Sequence, residues 1–152
     1  MLIGVISDTH GLLRSEALTA LAGVEHILHA GDVGDPRILA SLREIAPVTA
    51  IRGNVDRWGE CSELPATEAV ELDGKLFYLV HSIADLDINP VVAGVAVVVS
   101  GHSHKPSTEA RGGVIYLNPG SAGPRRFSLP VTVAIVTVDQ DGIKSRIVEI
   151  SC

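Results

Sequence analysis

The chain has 152 residues, 46% of them hydrophobic and only 3% aromatic, with a formal net charge of −6. That length suits one compact domain with a core of Val, Ile, Leu and Ala. The acidic balance argues against a general nucleic-acid or anionic-membrane binder, but admits a phosphate-containing substrate if a bound metal supplies positive charge.

The first apolar run, LIGVIS at 2–7, reads as a buried strand. Residues 15–23 have helical spacing, with Ser15 as N-cap, Leu18 and Leu21 on one face and Gly23 at the end. Residues 25–30 form a second strand. A second helix over 35–47 has Asp35 as N-cap, Pro36 at its first position and Pro47 beyond its end. A third strand covers 48–53. Strand and helix alternate, which predicts parallel pairing with right-handed crossovers. Later, 68–82 reads as two strands joined at Asp73-Gly74. Strands follow at 95–100, 112–121, 129–139 and 142–151, the last two joined through Asp141-Gly142. The class is α/β, with a parallel start and an antiparallel finish. Two packed sheets with helices outside would hold this many strands.

The two cysteines, Cys61 and Cys152, form no disulfide framework and read as free thiols. The opening segment lacks a basic stretch and has too short an apolar run for a secretory leader. No stretch reaches the ~20 apolar residues of a spanning helix. The expectation is a soluble cytoplasmic protein, away from membranes.

Polar residues gather where the apolar runs end. The first run leads into Asp8 and His10, the second into Asp32 and the third into Asn54 and Asp56. The run at 75–80 leads into His81, and that at 95–100 into His102 and His104. The C-terminal edge of a parallel sheet is where ligands bind. Two Asp, one Asn and four His are oxygen and nitrogen donors that suit Mn²⁺, Zn²⁺, Fe or Mg²⁺, with no thiolate among them. Seven donors exceed the needs of one tetrahedral ion and fit two ions sharing a carboxylate. Gly31, Gly53 and Gly101 each precede a candidate ligand and allow a tight turn. Each motif alone is common; five in order, each at a strand end, are not.

This ordered set resembles the calcineurin-like metallophosphoesterases, and within them the small bacterial and archaeal phosphodiesterases. The matching residues are Asp8 and His10, Gly31-Asp32, Gly53-Asn54, His81, and Gly101 to His104, with LNPGS at 117–121 as a further likeness. The resemblance implies a two-sheet β-sandwich flanked by helices. It implies one metal on Asp8, His10 and His104, a second on Asn54, His81 and His102, and Asp32 between them. It also gives Asn54 a contact to phosphate, and hydrolysis of a small phosphodiester by a hydroxide shared between two divalent ions. Manganese is the first expectation, with Zn, Fe, Ni or Mg as alternatives.

Two positions depart from the pattern. Where many members carry a histidine that helps the leaving group, this chain has Val55, which favours diesters and good leaving groups. Where glycine often follows the lone histidine, Ser82 stands. Asp56 and His29 are candidates for supporting the site, or for capping a turn and packing under the sheet edge. Arg57, Arg125 and Arg126 are candidates for phosphate contact, or plain surface charge. Trp58 would shape a pocket or cover a loop. The competing functions are a monoesterase or nucleotide-specific phosphatase, a non-catalytic scaffold of the same fold, and a single-metal binding protein. A homo-oligomer is compatible with all of them.

Overall fold

The computed structural model describes residues 1–151; Cys152 lies outside them. In chain order the elements are β1 (Leu2–Ile6), α1 (Ser15–Ala20), β2 (His26–His29), α2 (Pro36–Arg43), β3 (Val48–Ala50), β4 (Thr67–Leu72) and β5 (Lys75–Val80). They continue with α3 (Pro90–Ala93), β6 (Val95–Val99), β7 (Ser107–Arg111), β8 (Val114–Asn118), β9 (Thr132–Asp139) and β10 (Gly142–Glu149). Two sheets result, ordered β10-β9-β1-β2-β3 and β4-β5-β6-β8-β7.

Period-two alternation assigns the faces. Ile3 and Val5 of β1, Leu28 of β2 and Ala134 and Val136 of β9 point between the sheets. There they meet Phe77 and Leu79 of β5, Val97 and Val99 of β6 and Leu117 of β8. The opposite face of the first sheet, with Ile27, Val133 and Ile135, is covered by Ala17 of α1 and Ile38, Leu39 and Leu42 of α2. Gly4 opens the space for this packing, since a Cβ there would lie 2.6 Å from Leu21. The outer face of the second sheet, with Tyr78, Val80, Val98 and Val114, is covered by Leu86 and Ile88 of the segment that leads into α3. The expected sandwich is present. Helices of more than one turn flank only its first sheet.

The expected antiparallel finish holds for β4-β5, β7-β8 and β9-β10, but the middle of the second sheet is parallel. β1, β2 and β3 run parallel, and so do β5, β6 and β8. The segment holding α3, and the excursion through β7, each return the chain to the same end of the sheet. β9 runs antiparallel to β1 and carries the C-terminal hairpin back to the first sheet. Each sheet thus contributes three parallel strands, and all six end at one edge.

Several boundaries shift for local reasons. α1 stops at Ala20, and Arg14, not Ser15, is its N-cap. α2 keeps Asp35 as its cap, with the carboxylate accepting from Arg37 N at 2.9 Å, but ends at Arg43. Its last turn tightens as Ile45 N donates to Leu42 O at 3.0 Å. β3 ends at Ala50, short of the expected 53. Asp73-Gly74 is a two-residue turn with φ of 51° and 78°. The last hairpin turns on Gln140-Asp141, because Gly142 already pairs with Asp139. Gly112-Gly113 joins β7 to β8 rather than opening a strand. Cys61 is buried and free. Among the described residues no helix is long and apolar enough to cross a membrane.

Candidate metal centre

All seven singled-out residues meet at the shared edge. Asp8 is fully buried, and its Oδ2 accepts from Ser7 Oγ at 2.9 Å and from His102 N at 3.0 Å. That leaves Oδ1 with no hydrogen-bond partner, 3.7, 3.8 and 3.6 Å from Nε2 of His10, His81 and His104. Asp32 is divided in the same way. Its Oδ1 accepts from Val55 N at 3.0 Å, while Oδ2 lies 3.4 Å from His10 Nε2 and 3.2 Å from His81 Nε2. Backbone amides and a serine therefore fix one oxygen of each carboxylate and aim the other into the cluster.

His81 provides the sharpest test of fit to a cation. Its Nδ1 lies 2.7 Å from Ala30 O, an acceptor only, so Nδ1 carries the proton. In a neutral ring the Nε2 lone pair then faces Asn54 Oδ1 at 3.0 Å and Asp32 Oδ2 at 3.2 Å. Three acceptors turned on one another call for positive charge between them, either a metal ion or a proton on Nε2. The electrostatics agree. Burial opposes charge on His81, but Asp32 and the Ala30 carbonyl outweigh it and raise its pKa. Asp8, with Asp32 beside it, raises that of His10. Burial raises the Asp32 pKa, but His81, the Val55 amide and His10 together hold it below the usual carboxylate range. Burial pushes His104 down.

The atoms form two groups, Asp8, His10 and His104, and Asp32, His81 and His102. The rings pair accordingly, with centroids 5.2 Å apart for His10 and His104 and 5.2 Å for His81 and His102. Asn54 Oδ1 lies 3.2 Å from His102 Nδ1 and thus joins the second group. Unpartnered buried atoms, Asp8 Oδ1, His10 Nε2 and His104 Nδ1, all belong to the first. Such a set of carboxylate, imidazole and carboxamide donors fits divalent ions of the Mg, Mn, Fe and Zn type.

The loops are shaped for this convergence. Gly31 has φ of 101°, and a Cβ on it would meet His81 Nδ1 at 2.7 Å. Gly53 and Gly101 need closeness rather than an unusual backbone: a Cβ would meet Asp32 Oδ1 at 2.1 Å and Ser7 Oγ at 2.1 Å respectively. Asp56, 4% exposed, accepts from the amides of Val33, Gly34 and Gly53 at 2.9 to 3.0 Å and so ties the exits of β2 and β3 together. His29 accepts from Gly31 N at 3.1 Å, and its other nitrogen donates to Thr9 Oγ1 at 3.1 Å. It links the exits of β1 and β2 from below.

The match to the family model for the calcineurin-like phosphoesterase superfamily domain covers residues 1–141. The chain belongs to this superfamily. It is 34% identical to a probable metallophosphoesterase of Methanothermobacter thermautotrophicus, over 97% of this chain and 92% of that one. It is 28% identical to the phosphodiesterase YfcE of Escherichia coli, over 88% and 85%. Among solved structures, a predicted phosphoesterase of Streptococcus pneumoniae superposes with a TM-score of 0.76 at 26% identity, covering 97% of this chain and 88% of that one. Vps29 of Entamoeba histolytica complexed with Zn²⁺ gives 0.73 at 23% identity, covering 98% and 99%, a likeness of fold.

In this phosphoesterase fold the remaining candidates sort plainly. Ser82 has φ of −115°, an ordinary extended residue, so nothing there needs glycine. Arg57 folds back to donate to Asn54 O at 2.9 Å. Trp58 is 85% exposed and covers nothing. Sequence reasoning passed over Ser7, Asn118 and Ser121. Asn118 donates to Gly101 O at 3.0 Å and Ser103 Oγ at 3.1 Å, while Ser121 Oγ donates to Asp8 O at 3.0 Å. The LNPGS segment was the available signal: it straps the end of β8 to the exits of β6 and β1.

Proposed function

We propose that this phosphoesterase hydrolyses phosphodiesters with two divalent ions, manganese foremost. Asp8, His10 and His104 would hold one ion, and Asn54, His81 and His102 the other. Asp32 would serve both. The observation that carries the reading is Asp32 Oδ2, which lies 3.4 Å from His10 and 3.2 Å from His81, between the two groups. When bound, such ions supply a water acidic enough to lose its proton near neutral pH and positive charge against the phosphoryl oxygens.

The chain's own residues do the rest. Asp8 and Asp32, each fixed through one oxygen, keep the ligand atoms in place without reorganisation. Asn54 turns its carbonyl oxygen to His81 and His102, which leaves its NH₂ free to donate to a phosphoryl oxygen. Val55 offers no proton to the departing oxygen, so the alcohol must leave largely unaided. That favours diesters with acidic leaving groups over monoesters of ordinary alcohols. YfcE, named a phosphodiesterase, supports the same substrate class.

The test is turnover of an aryl phosphodiester before and after metal removal, in wild type and in Asp32→Ala with folding confirmed by circular dichroism. The reading expects activity to vanish on removal, return with Mn²⁺, and fall at least a hundredfold in the variant. Activity that survives full metal removal would overturn it. Two bound ions without turnover on any ester would favour a scaffold of the same fold.

A further inference from the structure

We infer that Arg125 and Arg126 form an anion subsite beside His10 and His104, which takes a second negative group on the substrate, a further phosphate first among them. The inference rests on the reading of the site as a two-ion phosphodiesterase. A cleft lined by His10, His104, Pro124, Arg125 and Arg126 opens beside the first ligand group. Arg14, Arg37, Arg52, Arg57 and Arg111 each donate to an oxygen of the chain. Among the described residues Arg43, Arg125, Arg126 and Arg146 make no such bond, and of these four only Arg125 and Arg126 line the cleft beside the ligand groups.

The segment that carries them is tied to the site. Ser121 Oγ donates to Asp8 O at 3.0 Å, and Ala122 N to Ser7 O at 3.1 Å. Arg14 grips Gly123 O at 3.2 and 3.3 Å. Gly123 packs so tightly on β1's exit that a Cβ would stand 2.3 Å from Thr9 O and 2.6 Å from Asp8 O. Two residues later the chain presents Arg125, then Arg126, at the cleft that His10 and His104 also line.

Charge balance then asks for an anion. Two divalent ions against the carboxylates of Asp8 and Asp32 leave a net double positive charge. With an attacking hydroxide counted, one positive charge would remain, and the single negative charge of a simple diester would match it. Two further guanidiniums beside that matched centre add positive charge that another anion, entering between them, would offset. They occur in a chain whose overall charge is −6, so the local excess of positive charge is not a property of the whole surface. The two clefts on the His102 side differ from the arginine-lined one. One holds Arg52, bonded to Leu64 O, with Asp85 and Asp87. The other is lined by Ser82, Ser103, Glu109, Arg111 and Tyr116, and its one cation, Arg111, is paired with Glu109. The substrate is thereby oriented, with a charged arm towards His10 and His104 and an uncharged polar arm towards His102.

The test uses two p-nitrophenyl phosphodiesters whose second arm ends in a sulfonate or in a neutral amide of equal length. Their non-hydrolysable phosphonate analogues are measured by calorimetry. We expect the sulfonate arm to raise kcat/KM and analogue affinity about tenfold. That preference should shrink to within twofold in Arg125→Gln/Arg126→Gln, persist in part in Arg125→Lys/Arg126→Lys, and stay intact in Arg146→Gln on distant β10. No preference in wild type overturns the inference. So does an equal loss for both arms in the double variant, which would place the arginines on the scissile phosphate or in a structural role. Calorimetry separates the two readings: a binding preference without turnover keeps the subsite and removes the phosphodiesterase.

Discussion

Asp8, His10, Asp32, His102 and His104 hold φ between 46° and 70°, a left-handed backbone that costs roughly 1 kcal/mol or more per residue. Asp and His tolerate it better than branched residues, and here it turns five side chains towards one point. Val55, 42% exposed beside Asn54, has no proton to donate. Val55→His should therefore speed hydrolysis of alkyl-leaving-group diesters about tenfold or more, and of nitrophenyl diesters far less. A gain equal for both would show that the histidine does something other than protonate the leaving oxygen. His29 makes a pH prediction. It is fully buried, and burial holds its pKa down at about 4, against 6.5 in an open chain. Between those values the unfolded chain takes up a proton that the folded chain refuses. The stability that its neutral ring contributes is complete above about pH 6.5 and drains away, by about 3 kcal/mol in all, as pH falls to 4. Urea denaturation with chelator present should show His29→Gln much less stable than wild type at pH 7.5. The gap should narrow by about that amount at pH 4.

At the level of elements, Asp56 shows how loops share one fastening. Its carboxylate takes three amides from the exits of β2 and β3. Hydrogen bonds to a charged group contribute about 1.5–3 kcal/mol each, so Asp56→Ala, which loses three, should lower stability by at least about 4 kcal/mol. It should also weaken metal binding at Asp32 and Asn54 together, read by calorimetry, with Asp56→Asn intermediate. Which elements the sequence revealed follows from the same physics. Strands with a buried face, such as β1 and β6, announce themselves by apolar runs. β7, Ser-Thr-Glu-Ala-Arg, is exposed along its whole length and has no pattern to read. α3 had its signals, Asn89 capping Val91 and Val92 and Gly94 at φ 75°, but four residues are too few for periodicity. Hairpin turns shifted wherever a glycine could serve either as turn or as first strand residue, as at Gly142.

Across the whole molecule, two sheets each send three parallel strands to a common edge, and this is why five separate motifs become one site. The residues that cluster at this edge were legible because each motif follows directly on an apolar run. The second sheet's parallel pairing was not, because its crossovers carry only a four-residue helix or an exposed strand. Ser7, Asn118 and Ser121 act through bonds between distant loops, so LNPGS marked the segment that holds Asn118 and Ser121 without revealing what either residue holds. The sandwich between the sheets carries the fold itself. Phe77, fully buried there, should cost about 3–5 kcal/mol when replaced by Ala, while the metal affinity of the remaining folded protein stays close to wild type. The most direct test of the central claim is a Mn²⁺ titration of metal-free protein by calorimetry, run beside turnover of an aryl phosphodiester, for wild type, His104→Ala and His102→Ala. The account predicts two ions per wild-type chain, one retained in each variant, and activity only where both are bound. A single ion in wild type, or full activity in either variant, would contradict it.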